Sequence, residues 1–301
     1  VPFNATAEVP FFLHIPRSGG STINDILGTC YGLVEATDTG WKQQHHKQKS
    51  SLDIVHSDDG AAFVNVDLST PGGIIEAKNL GLMQDGNRAA EVVVSQYLHH
   101  VAGHLFPDDS LKGRVFTMIR HPIERAVSVF HYLGVANWDP KYDPDLAYIN
   151  MEMYARSKRS EHNWLTRLLS NELQNDLTTH HLEIAKDVLR QKCLVGLLTE
   201  KKESLRRFEK VFGWGPKNKE QIECRDRLLH WGWSNKHSHP AVEEGSDVWE
   251  LLMKKNSLDM ELYNYAKTLF LEQSLLMESV ESNHNKAKRS RLAKQTQGAA
   301  A

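Results

Sequence analysis

Three cysteines, Cys30, Cys193 and Cys224, stand in 301 residues. Their spacing contains no C-x-x-C, which argues against a zinc site or a dense disulfide framework and leaves room for one pair at most. Long apolar runs are missing too: nothing approaches the roughly 18 consecutive apolar residues of a membrane-spanning helix. Charge of one sign is also lacking. The formal net charge is −2, which argues against bulk nucleic-acid binding and requires any positive site to be local. With 40% hydrophobic and 25% charged residues, the chain can bury a full core, and one large α/β domain is the economical arrangement.

What is present begins with Pro10-Phe11-Phe12-Leu13-His14-Ile15-Pro16-Arg17-Ser18-Gly19-Gly20-Ser21-Thr22-Ile23. Phe11 to Ile15 is short, apolar and β-favouring. Gly19 and Gly20 let backbone N–H groups approach a ligand, and Ser21 opens a helix through Ile23, Ile26 and Leu27. Such a strand, turn and helix start favours a phosphate or sulfate. It is not a G-x-x-x-x-G-K-[ST] loop, because Gly20 and not lysine precedes Ser21 and no glycine stands at the loop entrance. A second apolar strand, Val115 to Ile119, ends on Arg120. Pro122 then suits a helix first turn, and Arg125 and Ser128 fall on one side of that helix. A guanidinium at a strand end with a nearby hydroxyl makes a second anion site.

In these two stretches the chain resembles the PAPS-dependent sulfotransferases, especially the Golgi carbohydrate enzymes related to heparan sulfate 2-O-sulfotransferase. The family's loop, H-I-P-K-[ST]-G-G-[ST]-[ST], is matched by His14 to Thr22, with Arg17 where the family has lysine. Its R-x-P-x-x-R-x-x-S element is matched by Arg120, Pro122, Arg125 and Ser128. The resemblance implies a P-loop-like three-layer α/β fold, with a central parallel β-sheet flanked by helices. It also implies PAPS (3′-phosphoadenosine 5′-phosphosulfate) as co-substrate, with no metal required. Arg17, Ser18, Gly19, Gly20, Ser21 and Thr22 would hold the 5′-phosphosulfate, and Arg120, Ser128 and Arg125 the 3′-phosphate. Arg17 would also stabilise charge in the reaction. Arg206 and Arg207, late basic residues, are further candidate contacts, although a solvated helix face is the simpler reading of them.

A sulfuryl transfer to a hydroxyl needs a proton acceptor. The β-branched run Glu91 to Ser95 feeds His99, His100 and His104, and ligands in open α/β sheets sit beyond strand carboxyl ends, so these three are the candidate bases. Each is equally readable as an ordinary surface or core histidine. The loop's form points to a glycan or polysaccharide acceptor, neutral or lightly charged given the charge balance. A sterol or phenol is the alternative, and a phenol with a pKa near 10 has less need of a base. A PAP- or glycan-binding pseudoenzyme is a further reading, motivated by Arg17. A P-loop kinase is disfavoured because the strand ends in Arg120 rather than a metal-binding Asp.

Along the chain, residues 1–9 read as a leader or linker, 10–279 as the sulfotransferase domain and 280–301 as a basic, disordered tail. The polar stretch from Gly40 to Gly60 reads as a surface loop, its centre Gln43-Gln44-His45-His46-Lys47 being a bland alternative to a metal site. Helices are expected near Ile74, from Pro122, over 151–169, 177–189 and 200–212, and over 248–277. Ala61 to Val66 and Cys193 to Leu198 are expected strands. Asn137 to Asp145 is a loop that either lies over the site or merely connects, and Trp214, Trp231 and Trp233 either stack on sugars or pack inward. The chain opens on Val1, and Asn4-Ala5-Thr6 is a glycosylation sequon. An upstream signal or anchor outside this sequence is therefore expected, and the resemblance implies a Golgi lumen or membrane location, with the cytoplasm as the alternative.

Overall fold

The computed structural model describes residues 3–43, 51–84, 87–108, 110–231 and 239–298. Among the described residues nine strands form: β1 (Glu8–Leu13), β2 (Glu35–Ala36), β3 (Ile54–His56), β4 (Ala62–Val64), β5 (Met83–Gln84), β6 (Asn87–Arg88), β7 (Val92–Ser95), β8 (Lys112–Ile119) and β9 (Cys193–Leu197). Seven make one sheet in the order β3-β4-β2-β7-β1-β8-β9, and β5 and β6 form a separate hairpin. Every pairing in the large sheet is parallel except β3 with β4.

The sheet is buried on both faces, and the period of two along β1 decides which side chain goes where. Phe11 and Leu13 join Val93, Val115 and Val195 on one face, while Phe12 joins Val92, Val94, Phe116 and Met118 on the other. The first face is covered by α3 (Pro71–Asn79), α4 (Leu98–Leu105), α7 (Trp164–Ser170), α8 (Thr179–Lys192) and α12 (Ser257–Gly298). The second is covered by α1 (Gly20–Asp25) and the π-helix Ile26–Cys30 that continues it, with α9 (Lys201–Phe212) and α10 (Lys219–Trp231). The result is the expected α/β arrangement of helix, sheet and helix layers. α2 (Asp38–Gln43) follows β2. α5 (Pro122–Leu133), α6 (Met151–Arg156) and α11 (Asp247–Lys255) build a smaller apolar cluster around Ile123, Val127 and Leu252.

Several boundaries move for local reasons. The expected 151–169 helix splits into α6 and α7, because the polar segment after Arg156 breaks the pattern and Asn163 takes a left-handed backbone with φ 49°. The 248–277 helix is interrupted at Asn256, whose side chain donates to Leu252 O (2.9 Å) and accepts from Asn163 N (3.1 Å). β1 begins at Glu8, and Phe3 already packs edge-on against Phe212, so the ordered fold reaches into the segment read as a leader. α12 continues through Gly298. Most of the segment expected as a disordered tail is thus helical, consistent with its content of Glu, Lys, Ala and Arg and its lack of proline. The Gly40 to Gly60 stretch contains the end of α2 and strand β3, and its His45-His46 pair lies outside the described residues, as does Trp233. Trp214 packs inward against Phe212 and Phe116 rather than standing out for a sugar.

Cys30 and Cys224 form a disulfide joining the π-helix to α10, and Cys193 is buried and free. Among the described residues no helix is long and apolar enough to cross a membrane.

Candidate active site

The carboxyl ends of β1, β7, β8 and β9 meet at one crest, and the turn after β1 is its centre. Arg17 sits at φ 64° and Gly19 at φ 82°. Two left-handed residues so close together fold the chain back sharply, at a conformational cost for the non-glycine Arg17 of about 1–2 kcal/mol. A Cβ at Gly19 would stand 2.5 Å from Leu198 Cδ1, and one at Gly20 would strike the His14 ring. Both glycines are therefore required by packing, as well as by approach of a ligand. No side chain caps the α1 start, so its first N–H groups remain available to an anion. Ser18 and Thr22 are 0% and 1% exposed, and neither hydroxyl has a partner. Buried hydroxyls left unpaired cost free energy, and beside a cradle of free N–H groups they fit a missing anionic ligand.

The second predicted element converges on this turn. Arg17 Nε donates to Ser128 Oγ (3.0 Å), and Arg120 Nη1 donates to Arg17 O (3.3 Å). Arg120 is also paired with Glu124 at 3.3 Å. The Arg17 guanidinium lies 4.7 Å over the Tyr132 ring, a cation–π contact. Burial pushes the Arg17 pKa down, with Tyr132 opposing and the nearby Arg120 charge adding to the fall. Two cations held this close destabilise each other until an anion arrives between them.

Arg125 behaves differently. It is 6% exposed, paired with Glu161 at 2.5 Å, stacked 4.5 Å over Trp164, and donates to Pro16 O (3.4 Å). With its charge already matched, it holds the turn's backbone in place. Arg207 is likewise committed elsewhere: buried, stacked on Phe270, bonded to Glu203, Phe270 O and Ser274, it pins α9 to α12. Arg206 pairs with Glu203 on the same helix.

The three histidines do not share one place. The His99 Nε2 lies 3.1 Å from Leu168 O and 3.2 Å from Leu169 O, so His99 donates from Nε2 to the end of α7. His100 is exposed and stacks against His104 with ring centroids 6.2 Å apart. His104 lines a cavity of about 160 Å³ with Lys78, Ser110 and Leu111, next to the start of β8 and so towards the amino ends of the parallel strands, opposite the crest. α4 carries its later residues away from the crest at about 1.5 Å each.

Two participants were not singled out from the sequence. Tyr132 lies one turn beyond Ser128 on the same helix side, a spacing that would have found it. His14 ends β1 and abuts Gly20, and burial lowers its pKa while Asp38 across the crest raises it. Among the described residues no group of three or more His, Cys, Asp or Glu side chains is placed to hold a metal.

No protein-family model matches this chain, and no curated protein matches it. Among solved structures it is similar to the mouse sulfotransferase SULT7A1 complexed with PAP, at 12% identity over 88% of this chain and 80% of that one, with a TM-score of 0.37. A likeness at that score carries no argument about activity, which must rest on the residues above.

Proposed function

We propose that this chain is a PAPS-dependent sulfotransferase acting on a carbohydrate hydroxyl. The observation that carries the reading is the junction of its two anion elements: Arg17 on the turn bonded to Ser128, and Arg120 bonded to the turn's backbone. A ligand with anionic groups at both ends of a nucleoside fits such a crest. The 5′-phosphosulfate would take the Ser18 to Thr22 turn and the 3′-phosphate the Arg120–Ser128 side, with Arg125 as a positioning residue.

In the reaction the acceptor oxygen attacks sulfur, the bond from sulfur to the phosphate oxygen breaks, and the electron pair leaves with PAP. Arg17 and the α1 N–H groups lie where charge grows on the leaving phosphate. The acceptor proton goes to a base. His99 is the candidate favoured among the three, because it is the first of them to follow the strand-end turn. His104, near the other end of α4, is carried away from the crest.

The compartment we propose is the secretory lumen, with the Golgi as the resemblance implies. The Cys30–Cys224 disulfide favours an oxidising environment. The Asn4 sequon is exposed, with Asn4 Oδ1 accepting from Thr6 N (3.0 Å) and Thr6 Oγ1 (2.7 Å). Secreted protein would lose mass on glycosidase digestion, and Thr6→Ala would abolish that loss.

The testing experiment is incubation with radiolabelled PAPS and a panel of polysaccharides, sterols, phenols and proteins. Label in a polysaccharide is expected. Label in a sterol or phenol alone would overturn the acceptor, and PAP binding without any transfer would favour a pseudoenzyme.

A further inference from the structure

Trp138 is 68% exposed, an unusual state for a residue that is highly buried on average. It is nevertheless not loose. Its ring meets Tyr132 edge-on, with centroids 6.4 Å apart at 74°. The Tyr132 hydroxyl donates to Asp139 (3.1 Å), whose other oxygen accepts from Lys141 N (2.8 Å), so the residues next to Trp138 are tied to Tyr132. The Arg17 guanidinium lies 4.7 Å over the same Tyr132 ring. Arg17, Tyr132 and Trp138 thus form one continuous row from the anion turn to the surface.

We infer that Trp138 is the acceptor platform, stacking on the C–H face of a sugar ring so that a hydroxyl of that residue or its neighbour reaches the Arg17 turn. The direction of that hydroxyl rests on the sulfotransferase reading, whereas the stacking does not. A large aromatic face with only two side-chain torsions, already packed against Tyr132, binds with little loss of side-chain entropy. The surrounding charges select the glycan. Asp139, Asp143 and Asp145 lie in the segment with exposed Lys141 among them, and Arg159 is engaged with Asp143 (3.5 Å) and Asp145 (2.8 Å). Three carboxylates against two cations leave the patch slightly negative, so the platform takes a neutral or sparsely charged polysaccharide rather than a dense polyanion.

The experiment titrates neutral glucans, galactans and mannans, and one densely sulfated glycan, into wild type, Trp138→Ala and Trp138→Phe. Saturation-transfer NMR reads glycan binding, and calorimetry with PAP runs beside it. At least one neutral glycan should bind wild type and lose about tenfold in affinity in Trp138→Ala, with partial recovery in Trp138→Phe and PAP affinity unchanged. Trp138 is at the surface, so the variants keep the fold, and unchanged PAP binding verifies it. Equal glycan binding by all three proteins, binding of no neutral glycan, or preference for the sulfated one would each overturn the platform. PAP binding without glycan binding would sink this inference and leave the cofactor reading intact. Trp138-dependent glycan binding without PAP binding would do the reverse.

Discussion

The arginine cluster of β1 and β8 and the histidine row of α4 both follow the carboxyl ends of neighbouring parallel strands, yet they end in different parts of the molecule. Arg17 and Arg120 stand in the turn itself, and Ser128 faces that turn from α5, so all three converge. His99 stands in the first turn of its helix and turns to the end of α7, while His104 lies towards the amino ends of the strands beside Lys78 and Ser110. The lesson is one of lever arms. A strand end delivers its next few residues to the crest, and a helix running back along the sheet removes the rest at about 1.5 Å per residue.

The sharpest way to break this comparison is to remove the histidines one at a time. His99→Ala is expected to cost about 10²–10⁴ in turnover with PAP binding intact, the range for losing a general base. His100→Ala and His104→Ala should stay near wild-type activity. If His99→Ala is silent and His14→Ala is not, the base belongs to the loop rather than to α4, and single-turnover kinetics with a labelled glycan would show it.

Arg17 comes next. Arg17→Ala should lower turnover by about 10²–10³ and PAP affinity much less, because its charge matters most as the leaving phosphate develops. Arg17→Lys keeps the charge and should retain activity. Normal steady-state turnover in Arg17→Ala would make it a bystander held by Tyr132 and Ser128.

A smaller effect is expected at Arg120. Loss of one charge-assisted contact, about 1.5–3 kcal/mol, should weaken PAP by roughly 10–100-fold in Arg120→Ala. Adenosine 5′-phosphosulfate, which has no 3′-phosphate, should be little affected. Equal losses by calorimetry for both ligands would remove the 3′-phosphate assignment.

The centre of the sheet, and the strand-turn-helix form of the two candidate anion elements, are legible in the sequence because their signals are local. Apolar runs end at glycine, proline or arginine, and the five expected strands lie within a few residues of β1, β4, β7, β8 and β9, whereas β2, β3, β5 and β6, each two or three residues long, carry too little pattern to be read. What is not legible depends on contacts across the chain. Tyr132 looks like one more member of an apolar stripe until Arg17 lies over it. Arg125 matches the same motif as Arg120, but Glu161 and Trp164, brought in from the segment after α6, turn it into a brace for Pro16. The break between α6 and α7 depends on a left-handed Asn163 that helical periodicity does not reveal. The histidine row misleads because alignment along a helix says nothing about which end of the sheet it faces.

The smallest predicted effect concerns the sheet's other flank, which has buried carboxyls where the crest has cations. Glu35 is buried with Oε1 unpartnered, and burial followed by the Asp25 charge pushes its pKa well up. Asp25 is pushed up to about 6, by burial first and Asp59 second. Both groups hold protons in the folded chain that the unfolded chain releases near pH 4. Their stabilisation is therefore full below about pH 4 and is lost as pH rises through about 6 for Asp25, and higher still for Glu35. Glu35→Gln should raise the melting temperature at pH 8 by about 2–4 °C, the shift produced by roughly 1 kcal/mol in a large domain, and leave it unchanged at pH 4. An equal shift at both pH values would mean that packing, not ionisation, is responsible.

The most direct test of the cationic crest as a nucleotide-sulfate site is a calorimetric titration of the wild-type protein with PAP in excess EDTA, set against ATP with Mg²⁺. The account predicts PAP binding with a Kd of about micromolar order, some −8 kcal/mol, unchanged when Mg²⁺ is restored and stronger than that of ATP. Absence of PAP binding, or tight ATP binding that requires Mg²⁺, would contradict it.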